Sequence, residues 1–357
     1  MTEPCKNVPT MTKQLRNLEN RQLRKERIFE SSDARTTLSF YEYRSITYPE
    51  AFRNQLYEAF DALEVYGRIY VAHEGVNAQI SLPTHQLERL RDALRTLDFE
   101  PDLRLNIAIE DDGKSFYKLD IRVRHKIVAD GLQDDTFDPA DNGVHLDAEG
   151  FNELAARTDA VIVDMRNHYE SEVGHFEGAI LPDADTFREA LPMVEASLRG
   201  KEEQPIIMYC TGGIRCEKAS AYFKHKGFKE VYQLDGGIIE YARQVEAKGL
   251  ENKFKGKNFV FDERMGERIS DEIIAKCHQC GTPCDAHTNC ANDRCHLLLI
   301  QCPSCAEQYR GTCSQACADF VQLPVEERQR LGDTLTFNGS NAGTKRYRGL
   351  KNKVYQK

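Results

Sequence analysis

Pro205-Ile206-Ile207-Met208-Tyr209-Cys210-Thr211-Gly212-Gly213-Ile214-Arg215 passes from an apolar run through a glycine pair to an arginine, and the architecture unfolds outward from it. The run 205–209 reads as a short buried strand. Glu217 to Lys226 reads as a helix, with Ala219, Tyr222 and Phe223 on one face and Lys218, Lys224 and Lys226 on the other. Between them, successive backbone N–H groups of a glycine-rich turn form an anion cradle, and the following helix adds the positive end of its dipole. A thiol held there ionises more readily than a free one, so Cys210 is read as a nucleophile. Thr211, Gly212, Gly213 and Ile214 form the loop, and Arg215 closes it. Cys216 lies just past the loop and is read as an ordinary helix residue, a resolving thiol being the other reading.

Flanking segments repeat the strand–helix pattern. Ala160 to Asp164 is a second continuous apolar run, as in parallel strands buried on both faces. Glu230 to Leu234, followed by Asp235-Gly236-Gly237, gives a third strand and turn. Ligands bind beyond the carboxyl ends of such strands, where Asp164, Cys210 and Asp235 all fall. This α/β domain is placed at 133–250, entered through a polar linker, Asp130 to Asn142.

Upstream, residues 36–132 order their signals as β-α-β-β-α-β, the ferredoxin-like arrangement. Its expected elements are strands over Leu38–Tyr43, Gly67–Ala72, Asn77–Leu82 and Leu103–Ile109. Helices are expected over Pro49–Leu63 and His85–Leu97, and a strand-rich extension runs from Phe116 to Val128. A basic lead-in, 1–35, with its charge concentrated in Lys13 to Arg27, is read as mobile or helical.

The chain of 357 residues suffices for two or three domains, and its net charge of −9 excludes wholesale wrapping of nucleic acid while allowing local basic patches. No apolar run approaches the ~20 residues needed to span a bilayer. The start, Met1-Thr2-Glu3-Pro4, lacks the apolar core of a secretory signal. A cytoplasmic protein is expected, in which twelve cysteines would not be disulfide-bonded.

Nine of those cysteines follow residue 276. Cys277/Cys280 and Cys302/Cys305 have the C-x-x-C spacing that lets two thiolates reach one metal ion. Cys290/Cys295 and Cys313/Cys317 are looser pairs able to complete two four-cysteine zinc sites, leaving Cys284 over. Iron is the alternative metal. Whether pairs join as neighbours or interleave is open at this level. A segment so short and polar, placed at 251–325, is expected to draw much of its stability from metal binding. The remainder, 326–357, reads as a basic flexible tail. Lys345, Arg346, Arg348, Lys351, Lys353 and Lys357 would meet phosphates, and Tyr347 and Tyr355 would stack on unpaired bases.

Four separated motifs occur in a specific order: Asp164-Met165-Arg166 with Glu170, Gly174 to Ala179, the Cys210-to-Arg215 loop, and Asp235-Gly236-Gly237-Ile238. Together they resemble a rhodanese domain. That resemblance implies that Cys210 carries sulfur as a persulfide, with loop N–H groups and Arg215 stabilising the anion. Asp164 and Arg166 are read as an ion pair bracing the loop. Six residues from Cys210 through Arg215 match sulfur-handling rhodaneses, whereas related phosphatases have a loop one residue longer. Many members carry tryptophan after the Gly-Gly turn. This chain has none and places Tyr241 nearby, a change expected to alter packing and leave the chemistry intact.

With the ferredoxin-like start, Gly256-Lys257-Asn258-Phe259-Val260-Phe261-Asp262-Glu263-Arg264 and the cysteine-rich end, the chain apart from about its first and last thirty residues resembles the bacterial rhodanese-domain tRNA uridine hydroxylases. The resemblance implies an oxidoreductase that forms 5-hydroxyuridine at the wobble position using molecular oxygen, with the tRNA anticodon region as partner. A simple sulfurtransferase and a non-catalytic RNA-binding scaffold are the competing readings.

Overall fold

The computed structural model describes residues 15, 21–31, 33–132, 137–332, 334–339 and 355–356, in which two units separate, 1–107 with 111–127 and 108–110 with 128–357. The basic-tail residues 345–353 and Lys357 lie outside the described residues, as does most of Lys13 to Arg27 before helix α1 (Arg21–Glu30).

The first unit continues with β1 (Arg35–Tyr43), α2 (Pro49–Asp61), β2 (Tyr66–Ala72), β3 (Gly75–Pro83), α3 (Leu87–Thr96), β4 (Asn106–Ile107) and β5 (Leu119–Val123). The sheet order is β4-β1-β3-β2-β5. The first four strands are antiparallel neighbours and β5 runs parallel to β2. This is the ferredoxin-like order, with one added edge strand. Strand alternation sends Leu38, Phe40, Ile69, Val71, Ala78 and Ile80 to one face, where they form a core with Leu56 and Phe60 of α2 and Leu90 and Leu94 of α3. Each such burial contributes roughly 1.5–3 kcal/mol. The strand expected over 103–109 is only two residues long. Past Leu38 the ladder stops because the Thr37 amide and hydroxyl are taken by the Asp111 carboxylate at 2.5 and 3.0 Å.

In the second unit, β6 (Val144–Leu146), α4 (Ala148–Ala155), β7 (Val161–Asp164), α5 (His168–Ser171), β8 (Gly174–Phe176), α6 (Phe187–Ser197), β9 (Ile206–Tyr209), α7 (Ile214–His225), β10 (Val231–Leu234) and α8 (Gly237–Lys248) follow in turn. The sheet order β6-β10-β9-β7 is wholly parallel. All four residues of β9 are buried, which is why it reads as an uninterrupted apolar run. Phe176 sits at the hub of the core, its ring 4.4 Å from Phe151, 4.7 Å from Tyr209, 4.8 Å from Tyr241 and 5.2 Å from Phe254. Tyr241, four residues past Gly237, packs in the same core. Its ring is buried, and its hydroxyl donates to Asn152 at 2.9 Å while accepting from the Lys253 amide at 2.9 Å.

Beyond residue 250 the chain stays stitched to this domain, since β11 (Phe254–Asn258) pairs antiparallel with β8. β12 (Glu267–Arg268), β13 (His287–Asn289), β14 (Leu298–Ile300), α9 (Pro303–Gln308), α10 (Gln315–Gln322) and α11 (Val325–Gly332) carry the cysteine-rich end. Among the described residues no helix is long and apolar enough to cross a membrane.

Three expectations need correction. The linker read at 130–142 begins with structure: Asp130 is buried and accepts from the Lys218 ammonium at 2.8 Å. Lys218 therefore does not share the polar face of its helix, because an apolar-neighboured lysine with a buried carboxylate partner can go inside. The segment read as a flexible tail from 326 holds α11, and Leu331, Leu335 and Phe337 pack with Cys290, Cys295, Cys313 and Cys317. Those three apolar residues are spaced too irregularly to announce a core.

Candidate active site

Cys210 follows β9 at the carboxyl edge of the parallel sheet, between β10 and β7. The loop is tighter than its sequence suggests, because α7 begins at Ile214 and takes Ile214, Arg215 and Cys216 into its first turn. Gly213 makes the change of direction at φ +100°, a conformation open to glycine. Its N–H donates to the Cys210 sulfur at 3.2 Å, and the Arg215 N–H also faces that sulfur.

The N–H groups point inward because the carbonyls are held outward. Ile238 N–H donates to the Cys210 carbonyl at 3.0 Å, and Ile239 N–H to that of Thr211 at 3.3 Å. These donors belong to the first turn of α8, whose amides would otherwise lack partners. The approach requires Gly237: a Cβ there would lie 2.6 Å from the Cys210 carbonyl oxygen. Asp235-Gly236-Gly237 is thus the outer clamp of the loop.

Cys210 is fully buried, in a polar setting. Burial pushes its thiol up, but the Cys216 hydrogen bond, the Arg215 charge and the two loop amides outweigh it and bring the pKa down to about 6. Cys216 also shares the cradle, contrary to its reading as an ordinary helix residue. Burial and the neighbouring Cys210 sulfur push the Cys216 thiol well above its ordinary value, so it stays protonated and donates. A helix that starts inside the loop turns position 216 back over the sulfur; a helix starting at Glu217 would not have done so.

Arg215 does not place its guanidinium on the sulfur. Its two terminal nitrogens grip the Glu170 carboxylate at 2.7 and 2.9 Å, and one reaches the Thr211 hydroxyl at 3.3 Å. Its charge acts on Cys210 across that short gap. Glu170 is buried on α5, where its carboxylate also accepts from the Asn167 amide at 2.9 Å in a capping box.

Asp164 and Arg166 form a wholly buried bidentate pair, with contacts of 2.9 and 2.6 Å. The Tyr209 hydroxyl donates to Asp164 at 2.7 Å, and Arg166 donates to the Gly174 carbonyl at 2.6 Å. The pair therefore braces the strand end from which Cys210 emerges. Gly212 and Ile214, each partly exposed, complete the loop.

The eight cysteines assigned to metal binding gather into two groups, Cys277/Cys280/Cys302/Cys305 and Cys290/Cys295/Cys313/Cys317, with all sulfurs of a group within 4.8 Å of one another. The pairs interleave along the chain, and Cys284 stands outside both groups. Sulfur separations of 3.6, 3.7 and 3.8 Å occur within them. A tetrahedron with metal–sulfur bonds of ~2.3 Å has edges of about 3.8 Å, so the donor sets fit a metal ion. Backbone amides add N–H···S bonds: Cys302 to Cys277, Cys313 to Cys290 and Gly339 to Cys295, each at 3.3 Å.

Three family models match the chain in succession. They are described as "UPF0176 acylphosphatase like domain" over residues 35–127, "Rhodanese-like domain" over 147–244 and "Rhodanase C-terminal" over 255–318. Curated relatives match over most of their length. The chain is 57% identical to the tRNA uridine(34) hydroxylase of Photorhabdus laumondii over 87% of this chain and 89% of the relative. It is 57% identical to that of an Enterobacter species over 86% and 88%, and 58% identical to that of Salmonella schwarzengrund over 84% and 86%.

Proposed function

The chain belongs to the tRNA uridine(34) hydroxylase family, and from that membership we propose that it hydroxylates uridine 34 of tRNA to 5-hydroxyuridine, one atom of molecular oxygen entering the base and the other leaving as water with two electrons from an external reductant. Cys210 is the essential nucleophile, acting as thiolate or persulfide. One observation carries this reading: the buried Cys210 sulfur faces the Gly213 N–H at 3.2 Å in a loop whose carbonyls are tied off by α8.

The residues divide the work. The loop amides and the first turn of α7 stabilise negative charge on sulfur, as an oxyanion hole does on oxygen. Cys216 donates to the same atom. Arg215, held by Glu170, fixes the loop and supplies positive charge, while Asp164, Arg166 and Tyr209 keep the strand end in place.

Zinc is the metal proposed for both four-cysteine groups. Four thiolates close its coordination sphere and leave no position for substrate, so each ion holds the fold and takes no part in the reaction. The basic segments 13–27 and 345–357 supply phosphate contacts to the anticodon region. The protein is assigned to the cytoplasm, where thiolate sites stay reduced.

Nucleoside mass spectrometry of tRNA from cells carrying wild type or Cys210→Ala tests the reading. Loss of the uridine that is one oxygen heavier supports it. Loss of a thiolated base instead would point to sulfur transfer.

A further inference from the structure

In the first unit, α2 and α3 contribute to the core on one face of the sheet, and strand alternation sends a different set of side chains to the other. The register aligns them in a row. Tyr41 of β1 pairs with Asn77 of β3, Asn77 pairs with Tyr70 of β2, and Tyr70 pairs with Arg122 of β5. Arg68 stands one pair along, opposite Gln79. Tyr41, Tyr70, Asn77 and Gln79 are half-buried, as side chains lying flat on a sheet are, while Arg68, Arg122 and Arg124 are exposed. The Arg124 guanidinium lies over the Tyr70 ring at 5.5 Å.

We infer that this sheet face binds unpaired nucleotides of the tRNA substrate, with Tyr41 and Tyr70 as stacking platforms and Arg68, Arg122 and Arg124 on the phosphates. The inference rests on the tRNA reading above and adds where in the chain RNA is gripped. Three features favour RNA as the occupant. Two tyrosine rings flank an amide in one row of a ferredoxin-like sheet, which is how four-stranded RNA-binding sheets present aromatic side chains to splayed bases. The amides between the rings are fixed in place, Gln79 donating to Asn77 at 3.2 Å and Asn77 to the Ile127 carbonyl at 3.2 Å, so the platform is polar and preset.

Charge is the third. Asp120, a carboxylate of this face, lies among three cations: Arg122 grips it at 2.6 Å, Lys118 is 3.8 Å away and Arg68 adds its field. With Arg124 alongside, the face keeps a positive surplus on a chain whose overall charge is −9. A protein this acidic needs a local cationic surface to approach a polyanion.

Binding of the full-length Cys210→Ala protein to unmodified tRNA, read by fluorescence anisotropy, tests the inference without turnover. Tyr41→Ala and Tyr70→Ala are each expected to raise Kd about tenfold, within the range for loss of one stacked base. Tyr41→Phe and Tyr70→Phe keep the ring and are expected to bind like the parent. Arg68→Ala is expected to weaken binding and to reduce the slope of log Kd against log salt by about one. Tyr48→Ala, removing an exposed tyrosine from the loop before α2, serves as the control and leaves Kd unchanged. Thermal melts confirm that each alanine variant is folded, and the phenylalanine pair decides the matter if one is not. Unchanged Kd in both alanine variants, or equal losses in the phenylalanine variants, overturns the stacking face. Wild-type protein that still binds and hydroxylates tRNA in that event leaves the enzymatic reading standing; a wild type that binds no tRNA removes both.

Discussion

Arg215 and Glu170 meet as a two-pronged ion pair, at 2.7 and 2.9 Å, across the mouth of the loop that holds Cys210. The arginine that sequence alone assigns to the sulfur is thus anchored on a carboxylate from another helix. That anchoring keeps a mobile side chain from wandering and keeps its charge near the thiolate.

Glu170→Gln breaks the pair while preserving shape. A nearly buried guanidinium left without its counter-charge costs about 3 kcal/mol. The melting temperature should fall by several degrees, and hydroxylation should drop on the order of 100-fold as the loop loses its geometry. Unchanged activity would show that the pair is ornamental.

Asp164→Asn strands the Arg166 guanidinium, which is wholly buried. A loss of about 3–5 kcal/mol is expected in denaturant unfolding. Tyr209→Phe, which removes only the hydroxyl donated to Asp164, should cost about 1–2 kcal/mol. Equal effects from the two variants would contradict the ranking of charge above hydroxyl.

The Cys210 thiol titrates at about 6 in the folded protein, below its ordinary value of 9.0. A folded-state pKa that is depressed contributes stability above the unfolded value and loses it as pH falls through the folded one. Wild type should therefore gain stability relative to Cys210→Ala between about pH 6 and 9. Thiolate absorbance, taken as the difference from Cys210→Ala, should rise with a midpoint near 6, and Cys216→Ala should move that midpoint upward. A midpoint that ignores Cys216 would remove its donor role.

Metal analysis should find two ions per chain. Cys277→Ser and Cys317→Ser should each lose one, from different groups, whereas Cys284→Ala keeps both. Stripping both ions with a strong chelator should lower helicity and expose the Leu297, Leu299 and Phe320 core to proteolysis. Loss of both ions from either single variant would argue for one shared site.

The legible parts of this chain were those with short-range signatures. β9 announced itself as a continuous apolar run, the Cys210–Gly213 turn by its glycines, and the eight clustered cysteines by paired spacing. What escaped was long-range. Glu170 lies 45 residues from Arg215, and nothing local marks it as that arginine's partner. The buried Lys218–Asp130 pair spans 88 residues, so Lys218 looked like any surface lysine and Asp130 like linker. Interleaving of the cysteine pairs is equally a matter of three-dimensional closure. The boundary of α7 carried a chemical consequence, because starting at Ile214 turns Cys216 toward the Cys210 sulfur.

The most direct test compares purified wild type with Cys210→Ser on tRNA lacking the modification, with nucleosides read by mass spectrometry and tRNA binding measured in parallel. Serine keeps the shape and the hydrogen bonds but stays protonated where the thiol of Cys210 ionises. The account predicts a hydroxylated uridine from wild type, none from Cys210→Ser, and the same affinity for tRNA in both. Hydroxylation persisting in Cys210→Ser would contradict it.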